Sequence, residues 1–290
     1  EELELLIRRR ESLKPLKGTK INKSITERDY QHRAIRRISE SFEIKKRKAL
    51  LVMATGTGKT RTVISLCDLL IRCNWVKRIL FLADRTALVN QAEKAFKTHL
   101  PDCNPVNLIT NKTGEGRVFL STYPTISNLI DSENKSGQKR FGVGHFDLVI
   151  IDEAHRSIYQ KYSSIFDYFD SLLVGLTATP KEEIDRNTYG LFDLDIGIPT
   201  DEYGFLEAVE DEWLNPFKAL SVPLHFVREG IRYDELSEEE KAEWDEMEWQ
   251  EESEPPNQVS SGALNKWLFN KDTVDKVLEH LWTKGQRAED

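Results

Sequence analysis

The chain has 290 residues, 39% hydrophobic and 31% charged, enough for about two domains with buried cores. No run approaches the roughly 18 apolar residues of a membrane span, and Glu1–Arg10 lacks the basic-then-apolar order of a secretory signal. The net charge of −8 is unevenly spread: Glu229–Glu254 holds thirteen Asp/Glu against two Lys/Arg, a net −11 that leaves +3 elsewhere. The total therefore does not exclude a polyanionic partner. Three cysteines (Cys67, Cys73 and Cys103) without a C-x-x-C pair read as reduced thiols, not as zinc ligands or a disulfide. Together these features predict a cytoplasmic protein with no membrane contact.

Glu1–Lys23 is charged, with a short helical pattern at Leu3, Leu5, Leu6 and Ile7, and reads as the end of something upstream. Tyr30, Ala34, Ile35, Ile38 and Phe42 recur at three- and four-residue spacing and predict an amphipathic helix over Thr26–Lys46. Short apolar runs then alternate with helical patterns. Strands are expected at Ala49–Met53, Ile79–Ala83, Arg117–Ser121, Leu148–Ile151 and Leu172–Thr177. Helices are expected at Thr60–Asn74, Thr86–Thr98 and from Thr125 to Ile130. This alternation predicts an α/β domain with a mostly parallel sheet, whose ligands sit at the carboxyl ends of the strands.

Past Pro180 the pattern weakens. Asn187–Phe217 is rich in Gly, Pro and aromatics, with a short helix expected over Asp201–Glu210. A strand is expected at Val222–Val227, an exposed acidic helix at Leu236–Glu252, and an amphipathic helix at Gly262–Thr283.

Four candidate sites fall at strand ends: Ala54–Thr60, Asp84–Arg85, Asp152–Glu153 and Thr177–Thr179. In Met53-Ala-Thr-Gly-Thr-Gly-Lys-Thr60 a strand runs into a glycine loop and then a helix, so successive N–H groups can surround a phosphate chain. Gly56 and Gly58 allow close approach, Lys59 supplies a point charge for the β/γ-phosphates, and the Thr60 hydroxyl suits Mg2+. Met53 stands where the general pattern wants glycine. Asp152-Glu153-Ala154-His155 puts two acids after a buried strand, one to hold Mg2+ and one to orient the attacking water.

Thr177-Ala178-Thr179 offers hydroxyls that with His155 could form a coupling relay; a plain turn is the other reading. Arg85 and Thr86 follow one strand, and Thr122 and Tyr123 follow another. Both sets suit a nucleic-acid phosphate and equally suit a helix cap. Gln31 offers an adenine-reading amide, and Arg28 or Tyr30 a stacking surface; an ordinary helix start with Tyr30 in the core fits equally. Arg33, Arg36, Arg37 and Lys45–Lys48 read as a solvated basic face.

Taken together, Arg28–Gln31, Met53–Thr60, Phe81–Ala92, Val118–Thr125, Asp152–His155 and Leu176–Pro180 resemble, in order and spacing, the first RecA-like lobe of superfamily 2 helicases over about Ser24–Lys181. The runs Ala49–Arg61, Phe81–Gln91 and Ala263–His280 resemble the motor (R) subunit of type I restriction enzymes. The resemblance implies ATP and Mg2+ as cofactors, with Lys59, Asp152 and Glu153 catalytic and Thr60 and Asp152 on the metal. Nucleotide contacts are implied at Arg28, Tyr30, Gln31, Thr55, Gly56, Thr57, Gly58, Lys59, Thr60 and Arg61. Coupling or nucleic-acid contacts are implied at Arg85, Thr86, Thr122, Tyr123, His155, Thr177 and Thr179.

The implied partners are double-stranded DNA and the modification and specificity subunits of a restriction complex. The implied division is a linker from a nuclease domain (1–23), the first motor lobe (24–185), a connector with the acidic stretch (186–260) and the start of a second lobe (261–290). On that division the chain is a piece of a longer subunit, weakly active alone because the facing lobe would supply an arginine finger. Glu43-Ile-Lys45 has the E-x-K shape of a nuclease metal site, but without upstream acids it reads as chance. Two other readings stay open: another superfamily 2 helicase or repair translocase, and an ATP-binding regulatory module that does not translocate.

Overall fold

A computed structural model describes residues 11–131, 139–154, 156–179, 181–184 and 186–216, together with 231, 232, 234, 241, 258, 259, 278, 282 and 283. The chain divides into two compact units, Glu1–Pro216 and Phe217–Asp290.

The first unit is built on strands that are apolar on both faces. β1 (Lys48–Met53), β2 (Ile79–Ala83), β4 (Val118–Thr122), β5 (Leu148–Ile151) and β6 (Leu172–Thr177) are almost wholly buried. Side chains alternate across a strand. Ala49, Leu51 and Met53 enter one core cluster with Ile35, Ile64, Phe81 and Phe96. Leu50 and Val52 enter the other, with Leu80, Phe119, Phe146 and Phe192. Each fully buried Val, Leu, Ile, Met or Phe among them contributes about 1.5–3 kcal/mol.

Helices cover the faces: α1 (Asp29–Glu43), α2 (Lys59–Arg72), α3 (Thr86–His99), α4 (Tyr123–Asp131), α5 (Arg156–Tyr168) and α6 (Arg186–Leu191). With β3 (Pro105–Asn107) and β7 (Asp201–Tyr203) the sheet has seven strands in the order β3-β4-β2-β5-β6-β1-β7. Every pairing in it is parallel. This is the expected RecA-like α/β lobe. The order brings the carboxyl ends of β1, β6 and β5 side by side, so Ala54–Gly58 and Asp152–Glu153 face one region.

Three readings are corrected. Asp201–Glu210 is not one helix: Asp201–Tyr203 is the edge strand beside β1, and only Phe205–Glu210 (α7) is helical. Asp201 is the reason. It is 1% exposed and accepts Arg33 Nε at 3.3 Å and Arg37 Nη1 at 2.9 Å, which ties the strand to α1. The same pairs show that Arg33 and Arg37 do not form a free solvated face. Arg36 likewise donates to the Leu16 and Thr19 carbonyls. Because β7 completes the sheet, the compact unit runs to Pro216, past the expected boundary at 185. Glu43 of the E-x-K match accepts the backbone N–H of Leu16 at 2.7 Å and of Lys17 at 3.0 Å, a staple between the N-terminal segment and α1.

In the second unit Ile231–Arg232 (β8) pairs antiparallel with Gln258–Val259 (β9). The strand expected at Val222–Val227 lies outside the described residues, and so does the acidic helix at Leu236–Glu252 except for Lys241. Of the helix expected at Gly262–Thr283, only Leu278, Trp282 and Thr283 are described, all three helical.

Candidate active site

β1 ends at Met53, and the chain turns through a loop before α2 begins at Lys59. Gly56 and Gly58 sit at φ +87° and +88°, the left-handed region that L side chains avoid. At Gly58 a Cβ would also lie 2.7 Å from Gln31 Nε2. Thr57 is fully buried and closes the turn, its hydroxyl donating to the Ala54 carbonyl at 2.6 Å. The loop is thus held by its own backbone, with the N-terminus of α2 as a ready anion site. Lys59 Nζ lies 3.4 Å from the Met53 carbonyl and 3.7 Å from Glu153 Oε1.

The acid pair is bracketed by the strands on either side of β5. The Asp152 N–H donates to the Leu82 carbonyl, and the Ala154 N–H to the Leu176 carbonyl, each at 2.8 Å. Glu153 between them has φ +54°, an uncommon conformation for a residue with a Cβ, costing roughly 1–2 kcal/mol. Asp152 is 8% exposed, while Glu153 reaches toward Lys59. Burial first, then the Glu153 charge, raises the Asp152 pKa to about 6, against the pull of Lys59.

Thr55, Gly56, Gly58, Lys59, Thr60, Arg61, Asp152 and Glu153 line one cavity of about 450 Å³. A second, of about 490 Å³, adjoins it through Gly56, Gly58 and Arg61 and is lined by Glu27, Arg28, Asp29, Gln31 and Trp213. Tyr30 and Gln31 do not present free faces there. Tyr30 is stacked on Tyr203, with centroids 3.8 Å apart, and its hydroxyl donates to the Thr57 carbonyl at 2.8 Å. Gln31 Nε2 donates to the same carbonyl at 3.3 Å.

The donor set fits Mg2+. Asp152 is a buried carboxylate whose pKa burial raises in spite of Lys59, and Thr60 lines the same cavity. Among the described residues no cluster of three or more His, Cys, Asp or Glu could hold an ion by itself. Mg2+ suits such a site because it keeps several waters and shares its ligands with phosphate.

Of the strand-end residues expected to contact nucleic acid, Arg85 and Thr86 are exposed; Arg85 Nε lies 3.4 Å from Asp84 Oδ2. Thr122 is half-buried and shares a hydrogen bond with Thr125 at 2.9 Å. Tyr123 is not on the surface. It is 1% exposed, stacks on Tyr162, and donates its hydroxyl to the Asp152 carbonyl at 3.3 Å. Burial pushes its phenol well above the usual range, so it stays a neutral donor. A direct nucleic-acid contact by this side chain is therefore unavailable, and its link is to the acid loop. Thr177 is fully buried beside Val52 of β1 and accepts the Thr179 N–H at 3.1 Å. His155 lies outside the described residues.

The family model described as "Type III restriction enzyme, res subunit" matches residues 24–182, more than half of the chain. The chain belongs to this ResIII family. It is 35% identical over 211 residues to the EcoAI endonuclease subunit of a type I restriction enzyme from Escherichia coli, covering 71% of this chain and 25% of that one. To the EcoKI endonuclease subunit of E. coli strain K12 it is 32% identical over 212 residues, covering 64% and 17%. The chain thus spans a quarter or less of these relatives. A solved nuclease-deletion mutant of the Type ISP restriction-modification enzyme LlaGI, bound to a DNA substrate mimic, matches at 22% identity and TM-score 0.49, covering 64% of this chain and 20% of that one. This chain carries a superfamily 2 helicase-like ResIII domain related to type I restriction endonuclease subunits, and ATP with Mg2+ is what that class generally uses.

Two sets of cavity residues in the ResIII lobe escaped the sequence reading. Gln91 and His99, both on α3, line the cavity that holds Lys59, Asp152 and Glu153. Trp213 lines the other side, from a segment with no recognisable periodicity.

The buried acid also predicts a measurable cost. A carboxyl whose folded pKa lies above its unfolded value binds more protons when folded, so its contribution to stability falls as pH rises from about 4 to 6. Above that, the ionised Asp152 opposes folding by roughly 2–3 kcal/mol for a shift of this size. Asp152→Asn should therefore raise the urea midpoint of the ligand-free chain at pH 7.5, with little change at pH 4, while weakening Mg-ATP binding. A lowered midpoint at pH 7.5 would contradict this.

Proposed function

We propose that this chain is the ATP-binding motor lobe of a double-stranded DNA translocase within the endonuclease subunit of a type I restriction system. The observation that carries the reading is the meeting of Lys59, at the start of α2, with Glu153, just past the end of β5, 3.7 Å apart across one cavity. The type I relatives support the restriction context. The fit of modification and specificity subunits as partners rests on that likeness, and so does cleavage by a nuclease domain of the same subunit.

In this reading the triphosphate lies against the N–H groups of Ala54–Gly58 and the N-terminus of α2. Lys59 neutralises charge on the β- and γ-phosphates. Thr60 and Asp152 hold Mg2+, which when bound offsets phosphate charge. Glu153, within reach of Lys59, orients the attacking water and accepts its proton. Tyr123 holds the acid loop by its carbonyl, and Thr177 and Thr179 stand beside it at the end of β6. The base occupies the cavity lined by Arg28 and Gln31. Arg85, Thr86 and Thr122 lie at the ends of β2 and β4 along the proposed DNA path, where they meet phosphates.

Phosphate contacts release counterions, so duplex binding should weaken steeply with salt, by about 0.9 log unit per log unit of salt for each phosphate neutralised. We expect Arg85→Ala to shallow that slope by about one phosphate. A flat salt response would remove the DNA path. A nucleotide affinity indifferent to duplex DNA would point instead to a regulatory ATP-binding module.

A further inference from the structure

The base-side cavity has a wall that no helicase motif supplies. Trp213 follows α7 (Phe205–Glu210) and is 46% exposed. The Arg28 guanidinium carbon lies 4.1 Å from the centroid of that ring. Arg28 Nη1 donates to the Tyr30 hydroxyl at 2.7 Å, and that hydroxyl donates to the Thr57 carbonyl at 2.8 Å. A continuous chain of contacts therefore runs from the indole to the phosphate loop.

The segment carrying Trp213 is firmly placed. The N–H groups of Trp213 and Leu214 both donate to the Ala208 carbonyl, at 2.9 and 3.0 Å. Leu214 Cδ2 lies 3.3 Å from where a Cβ on Gly56 would stand, so the segment also touches the loop directly. At the foot of α7, Tyr203 stacks on Tyr30 and donates its hydroxyl to Asp211 at 2.8 Å.

An arginine side chain is long and loses considerable rotamer freedom when fixed; a guanidinium held on an aromatic face has lost that freedom beforehand. Its flat, cationic face is then preformed for a heteroaromatic ring. We infer that Trp213 is a positioning residue for the nucleotide base, holding the Arg28 guanidinium so that base binding is felt at the Thr57 carbonyl. This rests on the proposed ATP site and names a residue that makes the site sense the base as well as the phosphates.

The test compares Trp213→Ala and Trp213→Phe in the whole 290-residue chain. The readout is equilibrium binding of Mg-ATP and of magnesium tripolyphosphate, which carries the phosphates without a base. Trp213→Ala should weaken Mg-ATP by about three- to tenfold and leave tripolyphosphate unchanged. Trp213→Phe keeps an aromatic face and should stay within about twofold of wild type for both ligands. Tryptophan emission gives a second reading that does not depend on the alanine variant folding. Mg-ATP should change it in wild type and tripolyphosphate should not, and most of that change should vanish in Trp213→Phe.

Unchanged Mg-ATP affinity in Trp213→Ala, or an equal loss for both ligands, would overturn the inference and leave the ATP site standing. An ATP-induced emission change that persists in Trp213→Phe would also overturn it. Failure of the wild-type chain to bind either ligand would remove the proposed function and this inference together.

Discussion

Lys59→Ala is expected to lower Mg-ATP affinity by about 100-fold or more, on the order of 3 kcal/mol, while leaving the fold intact. The lysine is the first residue of α2 and projects over the cavity instead of packing in the core. Its partners are the Met53 carbonyl at 3.4 Å and the Glu153 carboxylate at 3.7 Å, both loose contacts. Neither contact supplies much stability, and alanine is a good helix former at that position. A triphosphate is different, because its charges would be concentrated where the ammonium stands. Titration calorimetry and thermal melting together check the prediction. Retained affinity would mean that the loop does not hold phosphate, and a collapsed melting temperature would mean that Lys59 serves the fold.

Glu153→Gln should separate binding from turnover. The side chain reaches Lys59 at 3.7 Å, and an amide of the same shape can occupy the same place. It can still orient a water but cannot take a proton. We expect hydrolysis to fall by about 10²–10⁴-fold, the usual contribution of a positioned general base. Affinity for Mg-ATP should hold or rise, because the variant removes a negative charge near the phosphates. Glu153→Ala should lose the same activity. Single-turnover phosphate release on the variant and wild type decides the matter. A loss of less than about fivefold would assign the water to another group.

Much of the lobe could be read along the chain because its strands are buried on both faces. Five of the seven strands are near-continuous runs of aliphatic and aromatic residues, and burial on both sides requires just such runs. The two missed strands are at the sheet edges. Pro105–Asn107 is three residues long and begins with proline, and Asp201–Tyr203 carries two acids. In the second case the acid is informative only once Arg33 and Arg37 are known to face it.

The places of Ala54–Thr60 and Asp152–Glu153 could be read along the chain because both segments directly follow buried strands. Tyr123 shows the limit of that logic. Its position after β4 is a site position, yet its side chain turns into the core and reaches Asp152. Trp213 shows the converse: nothing near it in sequence marks it, and its contact with Arg28 exists only after β7 has docked beside β1.

The measurement that bears most directly on the ATP site is a calorimetric titration of the wild-type chain with ATP, in the presence of Mg2+ and again with EDTA. One saturable site per chain is expected with Mg2+, weakened at least tenfold by EDTA, since Thr60 and Asp152 would hold the ion and the ion would offset phosphate charge. Absence of saturable binding, or an affinity the same with and without Mg2+, would contradict a shared ATP-Mg2+ site between Ala54–Thr60 and Asp152–Glu153.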